Sequence, residues 1–358
     1  MNNLNIVFLC IFCGNPYADL LVKPLKHREV NIKIEEKSFN FIFLPRIIAE
    51  GKPDIVHLHT LHYFFLGRNQ LNRSIKFFIF IIQILVLKLI GVKVIWTVHE
   101  WKNRFDNSNN DIPSGWASII GRIFDAIITH SQTTQNEISE ACSLKNNNKV
   151  FVVPHGNYIG CYENIINQLM ARKALSLPTE NLVFLLFGNL HKTKGFLEAI
   201  EAFKGLQDIR ISLLIVGNPA ENQVEELIRE RIQGYENILF VPKRVQDDEI
   251  QIYMNACDCV VLPYKVFTTS GTAILAMSFG RSCIAPNTGY FSDVLDDSGA
   301  FLYEANNEDG LLYAMKQAIE KRDKLLDMGK HNLKLAEQWN WDYVADETIK
   351  IYQGCLTR

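Results

Sequence analysis

The run Thr268-Thr269-Ser270-Gly271-Thr272 sets hydroxyls, backbone N–H groups and a glycine where a short apolar helix begins. The first N–H groups of a helix have no intrahelical partner and the helix dipole adds positive charge there, so this turn suits an anion. A second loop, Phe187-Gly188-Asn189-Leu190-His191-Lys192-Thr193-Lys194-Gly195, also follows a strand and opens a helix. A glycine at a strand end lets backbone approach a ligand, and Lys194 stands where it reaches a phosphate. Taken singly, this loop would also fit an ordinary connection with solvated lysines; paired with the first, it favours an anion. In the amino-terminal half, His57, His59, His62 and the pair His99-Glu100 carry the chemistry. Imidazole suits zinc, yet the spacing is not that of a closed metal site. His57 and His59 alternate along an extended segment, which points them to opposite faces, so no metal is expected.

These residues need a scaffold, and the chain supplies one by alternation. Strand-like runs at Asn5–Phe12, Val30–Ile34, Asp54–His57, Val92–Val98, Ala126–His130 and Val150–Val153 are separated by helical patterns. A second series starts at Leu182–Gly188 and continues at Ile211–Val216, Ile238–Val241, Cys259–Leu262, Ser282–Ala285 and Ala300–Tyr303. Strands alternating with helices imply parallel βαβ units in doubly wound sheets. The expected organisation is two Rossmann-like domains, residues 1–178 and 179–338, joined through a linker near Ala174–Asn181. Ligands of such sheets bind at the carboxyl ends of the strands, here in a cleft between the two domains.

Composition agrees with a folded enzyme. Of 358 residues, 48% are hydrophobic and 21% charged, enough to bury a core. The net charge of −2 conceals an asymmetry: residues 1–178 carry +6 and residues 179–358 carry −8. A basic first half fits an anionic membrane surface or a phospholipid-linked substrate. Nucleic acid is a less expected partner, since no basic run with interleaved aromatics occurs. The eight cysteines are scattered and read as small buried apolar residues of a reducing compartment. The start, MNNLNIVFLCIFCG, lacks a basic region before its apolar run and reads as a core strand rather than a signal peptide. Within Leu71–Ile90, the stretch FFIFIIQILVLKLI falls below the roughly 18 apolar residues of a membrane span. It is expected to be buried against the sheet for most of its length. The alternative is a helix lying in a membrane interface, flanked by Arg68, Arg73, Lys76 and Lys93.

Several of these motifs resemble those of GT-B glycosyltransferases of group 1 (GT4-like). In that class a G-[RQ]-x-x-x-x-K-G loop holds the donor diphosphate, and Gly188 through Lys194-Gly195 match it, with Asn189 where arginine is usual. Val153-Pro154-His155-Gly156-Asn157 matches a loop at the end of the first domain, and Ala256 to Pro263-Tyr264 matches the A-D-x-x-x-x-P-[SY] strand. The resemblance covers essentially the whole chain. It implies a GT-B fold, a nucleotide-sugar co-substrate, no other cofactor, and a terminal helix at 339–358 that crosses back to the first domain. Retaining members carry two glutamates eight positions apart around the glycine-rich turn; here those positions are Phe267 and Leu275. The pattern PY-x-x-x-x-TSG-x-x-x-L-A-M-S-F-G instead resembles bacterial exopolysaccharide transferases of the xanthan-type β-1,4-mannosyltransferase kind, which use GDP-mannose and invert the anomeric centre.

That resemblance implies a division of roles. Donor binding falls to Gly188, Asn189, Lys194, Arg244, Tyr264, Thr268, Thr269, Ser270, Gly271, Thr272 and His155. Asn15, Tyr17, His59 and His62 line the acceptor side. An inverting displacement needs a general base, for which Glu100 is preferred, with His99 orienting the sugar or facing the leaving phosphate. Asp106 and Asp111 compete for that role, and Glu100 and His99 also fit a helix cap and an ordinary loop histidine. The implied acceptor is a polyprenyl-diphosphate-linked glycan at the inner face of the cell membrane, with peripheral membrane contact through the first domain. Two alternatives remain: a retaining enzyme using UDP-glucose or another donor, and a non-catalytic partner protein that kept the fold.

Overall fold

The computed structural model of the chain describes residues 4–10, 16–35, 41–49, 51–61, 64–65, 69–101, 112–144, 148–206, 208, 210–220 and 222–357. Asn15, His62, Asp106 and Asp111 lie outside them, as does Arg68.

Among the described residues, twelve strands form two parallel sheets. The first contains β1 (Leu4–Leu9), β2 (Val30–Glu35), β3 (Ile55–Leu58), β4 (Lys93–Thr97), β5 (Ala126–Thr129) and β6 (Val150–Val152). Their spatial order is β2-β1-β3-β4-β5-β6. The second contains β7 (Leu182–Phe187), β8 (Ile211–Val216), β9 (Ile238–Val241), β10 (Cys259–Val261), β11 (Ser282–Pro286) and β12 (Ala300–Tyr303). Its order is β12-β11-β10-β7-β8-β9. In both, the strand order reverses at the first strand of the series, as a doubly wound sheet requires. The strands are near-continuous runs of Val, Ile, Leu and Phe because helices cover both faces, and β3, β5, β8 and β11 are buried at every position.

The chain divides into two compact units, residues 1–156 with 340–358, and residues 157–339. The border therefore differs from the one expected at residue 178. The cause is the helix Gln168–Ala174, absent from the sequence reading, which belongs to the second unit. Its Arg172 is buried and donates to Asp258 Oδ2 at 2.6 Å and to the Ala256 carbonyl at 3.1 Å, while Gln168 donates to Asp258 Oδ1 at 2.9 Å. The terminal helix Trp341–Leu356 is counted with the first unit and packs on helix Tyr17–His27. Arg28 clamps that pair by donating to Asp342 Oδ1 at 2.8 Å and to both carboxylate oxygens of Asp346.

Helix Gln70–Leu89 is the longest in the described chain, and its two faces differ. Phe77, Phe80, Ile84 and Leu87 are buried on the first sheet, together with Gln83, whose side-chain oxygen accepts from the Phe43 and Leu44 N–H groups. Arg73, expected as a surface cation, is also buried, its guanidinium 5.7 Å from the centre of the Trp116 ring. The opposite face corrects the expectation of a mostly buried helix. Leu71, Ile75, Phe78, Ile82, Leu85 and Leu89 are all exposed, Phe78 at 66% and Leu89 at 86%. Their spacing of four and three residues keeps them in one row along the helix.

Candidate functional site

In the second unit the two anion-suited loops lie side by side. β7 ends at Phe187, and Gly188 has φ +113°. A methyl group on Gly188 would stand 3.4 Å from Thr272 Oγ1, so the two strand-end loops are in van der Waals range. The 3-10 turn Lys192–Lys194 ends at Gly195, whose φ of +67° is left-handed, a conformation favouring glycine. A Cβ there would come 1.8 Å from the Pro263 carbonyl oxygen, so only glycine lets this turn dock on the end of β10. Lys265 N–H closes the contact by donating to the Thr193 carbonyl at 2.9 Å. This docking brings the Lys194 ammonium to 3.4 Å from the centre of the Tyr264 ring.

Thr268, Thr269 and Ser270 are buried before helix Gly271–Ser278, and Ser270 Oγ caps it by accepting from Ala273 N–H at 3.2 Å. Tyr158 lines the same helix start: its hydroxyl would be 3.3 Å from a methyl on Gly271, and its N–H donates to Ser278 Oγ at 2.9 Å. Burial raises the Tyr158 phenol far above its ordinary pKa, so it stays a neutral O–H. Nothing in the sequence marked Tyr158 except its place just after the Pro154-His155-Gly156 loop. Phe267 packs on Phe291 at 4.5 Å between ring centres, and Leu275 is buried, so apolar contacts occupy both positions where glutamates were absent. Asn189, next to Gly188, is exposed, and Arg244 is exposed on the loop after β9.

In the first unit, histidines from four successive strand ends form an arc around Tyr17, the first residue of helix Tyr17–His27. Along the arc the ring centres are 4.2 Å apart for His57–His59, 5.6 Å for His59–His99, 5.1 Å for His99–His130 and 5.4 Å for His130–His155. The Tyr17 ring lies 4.5 Å from His99, 5.0 Å from His155, 5.7 Å from His130 and 5.8 Å from His59. Trp341, from the terminal helix, closes the arc at 5.1 Å from Tyr17 and 6.1 Å from His155. His57 and His59 therefore do not face opposite ways. β3 ends at Leu58 and His59 sits in the bend beyond it, where the alternation of an extended strand no longer holds.

Polar contacts hold the arc. His57 bonds the Tyr352 hydroxyl at 2.7 Å through Nδ1 and the Thr97 hydroxyl at 2.8 Å through Nε2. His59 Nδ1 meets His99 Nε2 at 3.3 Å, while Nδ1–H of His130 and of His155 donates to the Val153 and Gly156 carbonyls at 2.9 and 2.7 Å. Burial pushes His57 and His155 down to about 3 and His130 to about 4, and holds His59 and His99 well below 6.5. The positive charges that neighbouring histidines would carry add to the effect at His57, His59, His99 and His155. All five are neutral at pH 7. Among the described residues no three His, Cys, Asp or Glu side chains are arranged to hold a metal ion.

The expected residues thus fall in two places. Gly188, Lys194, Tyr264, Ser270, Gly271 and Thr272 lie on adjoining loops of the second unit. Tyr17, His59 and His99 come together in the first, and His155, expected on the donor side, joins them. His59 is only 1% exposed, whereas His99 and Glu100 are half-buried. His130, Trp341 and Tyr352 were not anticipated, and His57 was considered only as a metal ligand. His130 follows β5 as His99 follows β4, so reading every strand's carboxyl end for polar residues would have found it.

Comparison with known proteins follows this division. Residues 34–157 match the family described as Glycosyltransferase Family 4, and residues 168–335 match Glycosyl transferases group 1. A GDP-mannose:glycolipid 4-beta-D-mannosyltransferase of Xanthomonas campestris pv. campestris is 27% identical over 74% of this chain and 71% of its own length. A UDP-Gal:alpha-D-GlcNAc-diphosphoundecaprenol alpha-1,3-galactosyltransferase of Escherichia coli is 25% identical over 84% of this chain and 75% of its own. Among solved structures, sucrose-phosphate synthase from Thermosynechococcus elongatus superposes with a TM-score of 0.77 at 15% identity, covering 99% of this chain and all of that one. HepE from Anabaena, in complex with UDP and glucose, gives 0.74 at 15% identity, covering 98% of this chain and 100% of that one.

Proposed function

Because this chain is a group 1 glycosyltransferase of GT-B fold, a nucleotide-sugar-dependent hexosyltransferase, we propose that it moves mannose from GDP-mannose to a lipid-linked glycan with inversion. The match to the Xanthomonas mannosyltransferase across 74% of the chain carries this reading. The apolar residues Phe267 and Leu275, where retaining relatives bear glutamates, support it. A second reading, transfer from a UDP-sugar, is favoured by the match to the UDP-galactose enzyme.

In the favoured reading the acceptor hydroxyl attacks the anomeric carbon as its bond to the diphosphate oxygen breaks. Glu100 takes the acceptor proton, and neutral His99 orients the sugar or the leaving phosphate. Charge growing on the departing diphosphate is met by Lys194, by the Ser270 and Thr272 hydroxyls and by N–H groups at the start of helix Gly271–Ser278. Thr268, Thr269, Gly188, Asn189, Tyr264 and Arg244 complete the donor side. No metal or further cofactor is required. The acceptor is a polyprenyl-diphosphate-linked precursor of an exported polysaccharide, used at the inner face of the cell membrane. The exposed apolar row from Leu71 to Leu89, together with the basic first half of the chain, supports membrane contact.

The test is Glu100→Gln. It keeps the size and loses the base, so donor binding persists while turnover falls by about 100-fold or more. Turnover within about twofold of the parent would remove Glu100 from the mechanism.

A further inference from the structure

Thr129, His130 and Ser131 stand in a row where β5 ends, and the two hydroxyls of the row are paired. The Thr129 hydroxyl donates to the Ser131 and Phe151 carbonyls, both at 3.3 Å. Ser131 Oγ caps helix Gln132–Ala141 by accepting from Thr134 N–H at 3.2 Å, and it donates to Thr134 Oγ1 at 3.0 Å. His130, between them and 3% exposed, is half satisfied. Its Nδ1 lies 2.9 Å from the Val153 carbonyl, while its buried Nε2 is bonded to nothing among the described residues. Around it stand the rings of His99, His155 and Tyr17, with centres 5.1, 5.4 and 5.7 Å away. Of those three, only His99 is partly open.

The Val153 carbonyl settles the tautomer. A carbonyl oxygen only accepts, and a neutral imidazole carries one N–H, so the proton sits on Nδ1. Burial keeps the ring neutral at pH 7 by lowering it to about 4. Nε2 is therefore a bare lone pair at the tip of the ring. Leaving a buried acceptor unpaired forfeits its hydration with nothing in return, and in native structures such groups call for a reason. From this geometry we propose that His130 is a substrate-binding residue, whose Nε2 accepts a hydrogen bond from a sugar hydroxyl. The ligand class follows from charge and valence. A hexose carries hydroxyl donors, whereas an ionised diphosphate offers only lone pairs and would repel this one. His130 thus selects the sugar, not the leaving group, for this strand end. It takes a hydrogen bond and not the proton itself, because burial disfavours the imidazolium. The hydroxyl enters past the partly open His99, since bonds to substrate tighten in the complex beyond what a free protein shows.

The proposal rests on the reading of the arc as a place where substrate binds, and imidazole nitrogen NMR of the full chain tests the two separately. In the free protein, labelled at histidine, His130 gives a protonated Nδ1 and a bare, unbonded Nε2. The probes are GDP-mannose, with GDP as its control, and octyl β-D-glucoside below its micelle concentration. On saturation the Nε2 resonance moves toward the protonated position without reaching it, while Nδ1 holds. Movement with GDP-mannose but not GDP assigns the hydroxyl to the transferred hexose. Movement with the glucoside alone assigns it to the acceptor. If UDP-glucose is the donor that binds, it and UDP replace the guanosine pair. Two variants add an independent measurement. His130→Asn keeps an N–H at the distance of Nδ1 for the Val153 carbonyl and loses Nε2. His130→Gln keeps a polar atom at the distance of Nε2 and loses that anchor. His130→Asn is then the more heat-stable of the two and the weaker binder. Its Kd for the probe that moves Nε2 rises roughly 2- to 12-fold, the worth of one neutral hydrogen bond. His130→Gln melts lower and binds closer to the wild type.

An Nε2 already shifted in the free protein, no movement with either probe, or equal movement with GDP and GDP-mannose overturns the proposal. So does the same ranking of the two variants in stability and in affinity, which would mark His130 as structural. If His99 responds to a probe and His130 does not, the arc still meets substrate and His130 alone is removed from it. If neither ring responds to a probe that calorimetry shows to be bound, the reading of the arc falls as well.

Discussion

Lys194 carries its charge 3.4 Å above the Tyr264 ring, in a turn held by the only residue type that fits at position 195. The aromatic face stabilises the ammonium by roughly 0.5–2 kcal/mol and keeps it beside the Thr268–Thr272 turn. Replacing Tyr264 with Leu removes that support, and the account predicts a rise in the Kd for GDP-mannose of roughly 2- to 30-fold, the range corresponding to the same energy. Titration of the variant by calorimetry checks it; an unchanged Kd would show that Tyr264 does not help hold Lys194 for the donor. The two loops were legible in the sequence because their signals are local: a glycine, a lysine and a hydroxyl run within a few residues of a strand end. The histidine arc was not. It is assembled from residues as distant as Tyr17 and Tyr352, and the one local rule applied to it, alternation along a strand, failed where β3 stops at Leu58.

At the scale of elements, helix Gln70–Leu89 offers the clearest separation of roles. One face holds the first unit together and the other is an apolar row open to solvent. Truncating fully buried Phe80 to Ala should cost about 3–5 kcal/mol of stability. Phe78→Asp with Ile82→Asp, on the exposed row, should leave urea-unfolding stability within about 0.5 kcal/mol but abolish sedimentation with anionic phospholipid vesicles. Equal sedimentation of the double variant and the parent would exclude this face as the membrane contact. Hydropathy exposed the existence of this helix but not its two faces, since apolar residues run all the way round it. Helix Gln168–Ala174 escaped the sequence reading for the opposite reason. It is seven residues long, and what holds it is tertiary: the buried Arg172 reaching Asp258 across 86 positions of chain.

The whole molecule is two parallel-sheet units, and the alternation of strand and helix made that architecture readable from end to end. The border was not readable, because it depends on which unit residues 157–178 pack against. Charge ties the arc to the stability of its unit. His57, His130 and His155 titrate at about 3 to 4 in the folded protein, against 6.5 for a free histidine. Below pH 6.5 the unfolded chain therefore takes up protons that the folded chain refuses. The stabilisation is complete above that pH and is lost as pH falls toward 4, by about 1.4 kcal/mol per histidine per pH unit. Thermal unfolding should show Tm falling between pH 7 and pH 5, and a flat Tm over that range would show that the arc is not buried in neutral form. The central claim concerns the donor, and thermal stabilisation of the full chain by GDP, GDP-mannose, UDP, UDP-glucose and UDP-galactose, with a chelator present, tests it most directly. The account predicts that GDP and GDP-mannose raise Tm while the UDP compounds do not. A rise confined to the UDP compounds would contradict it.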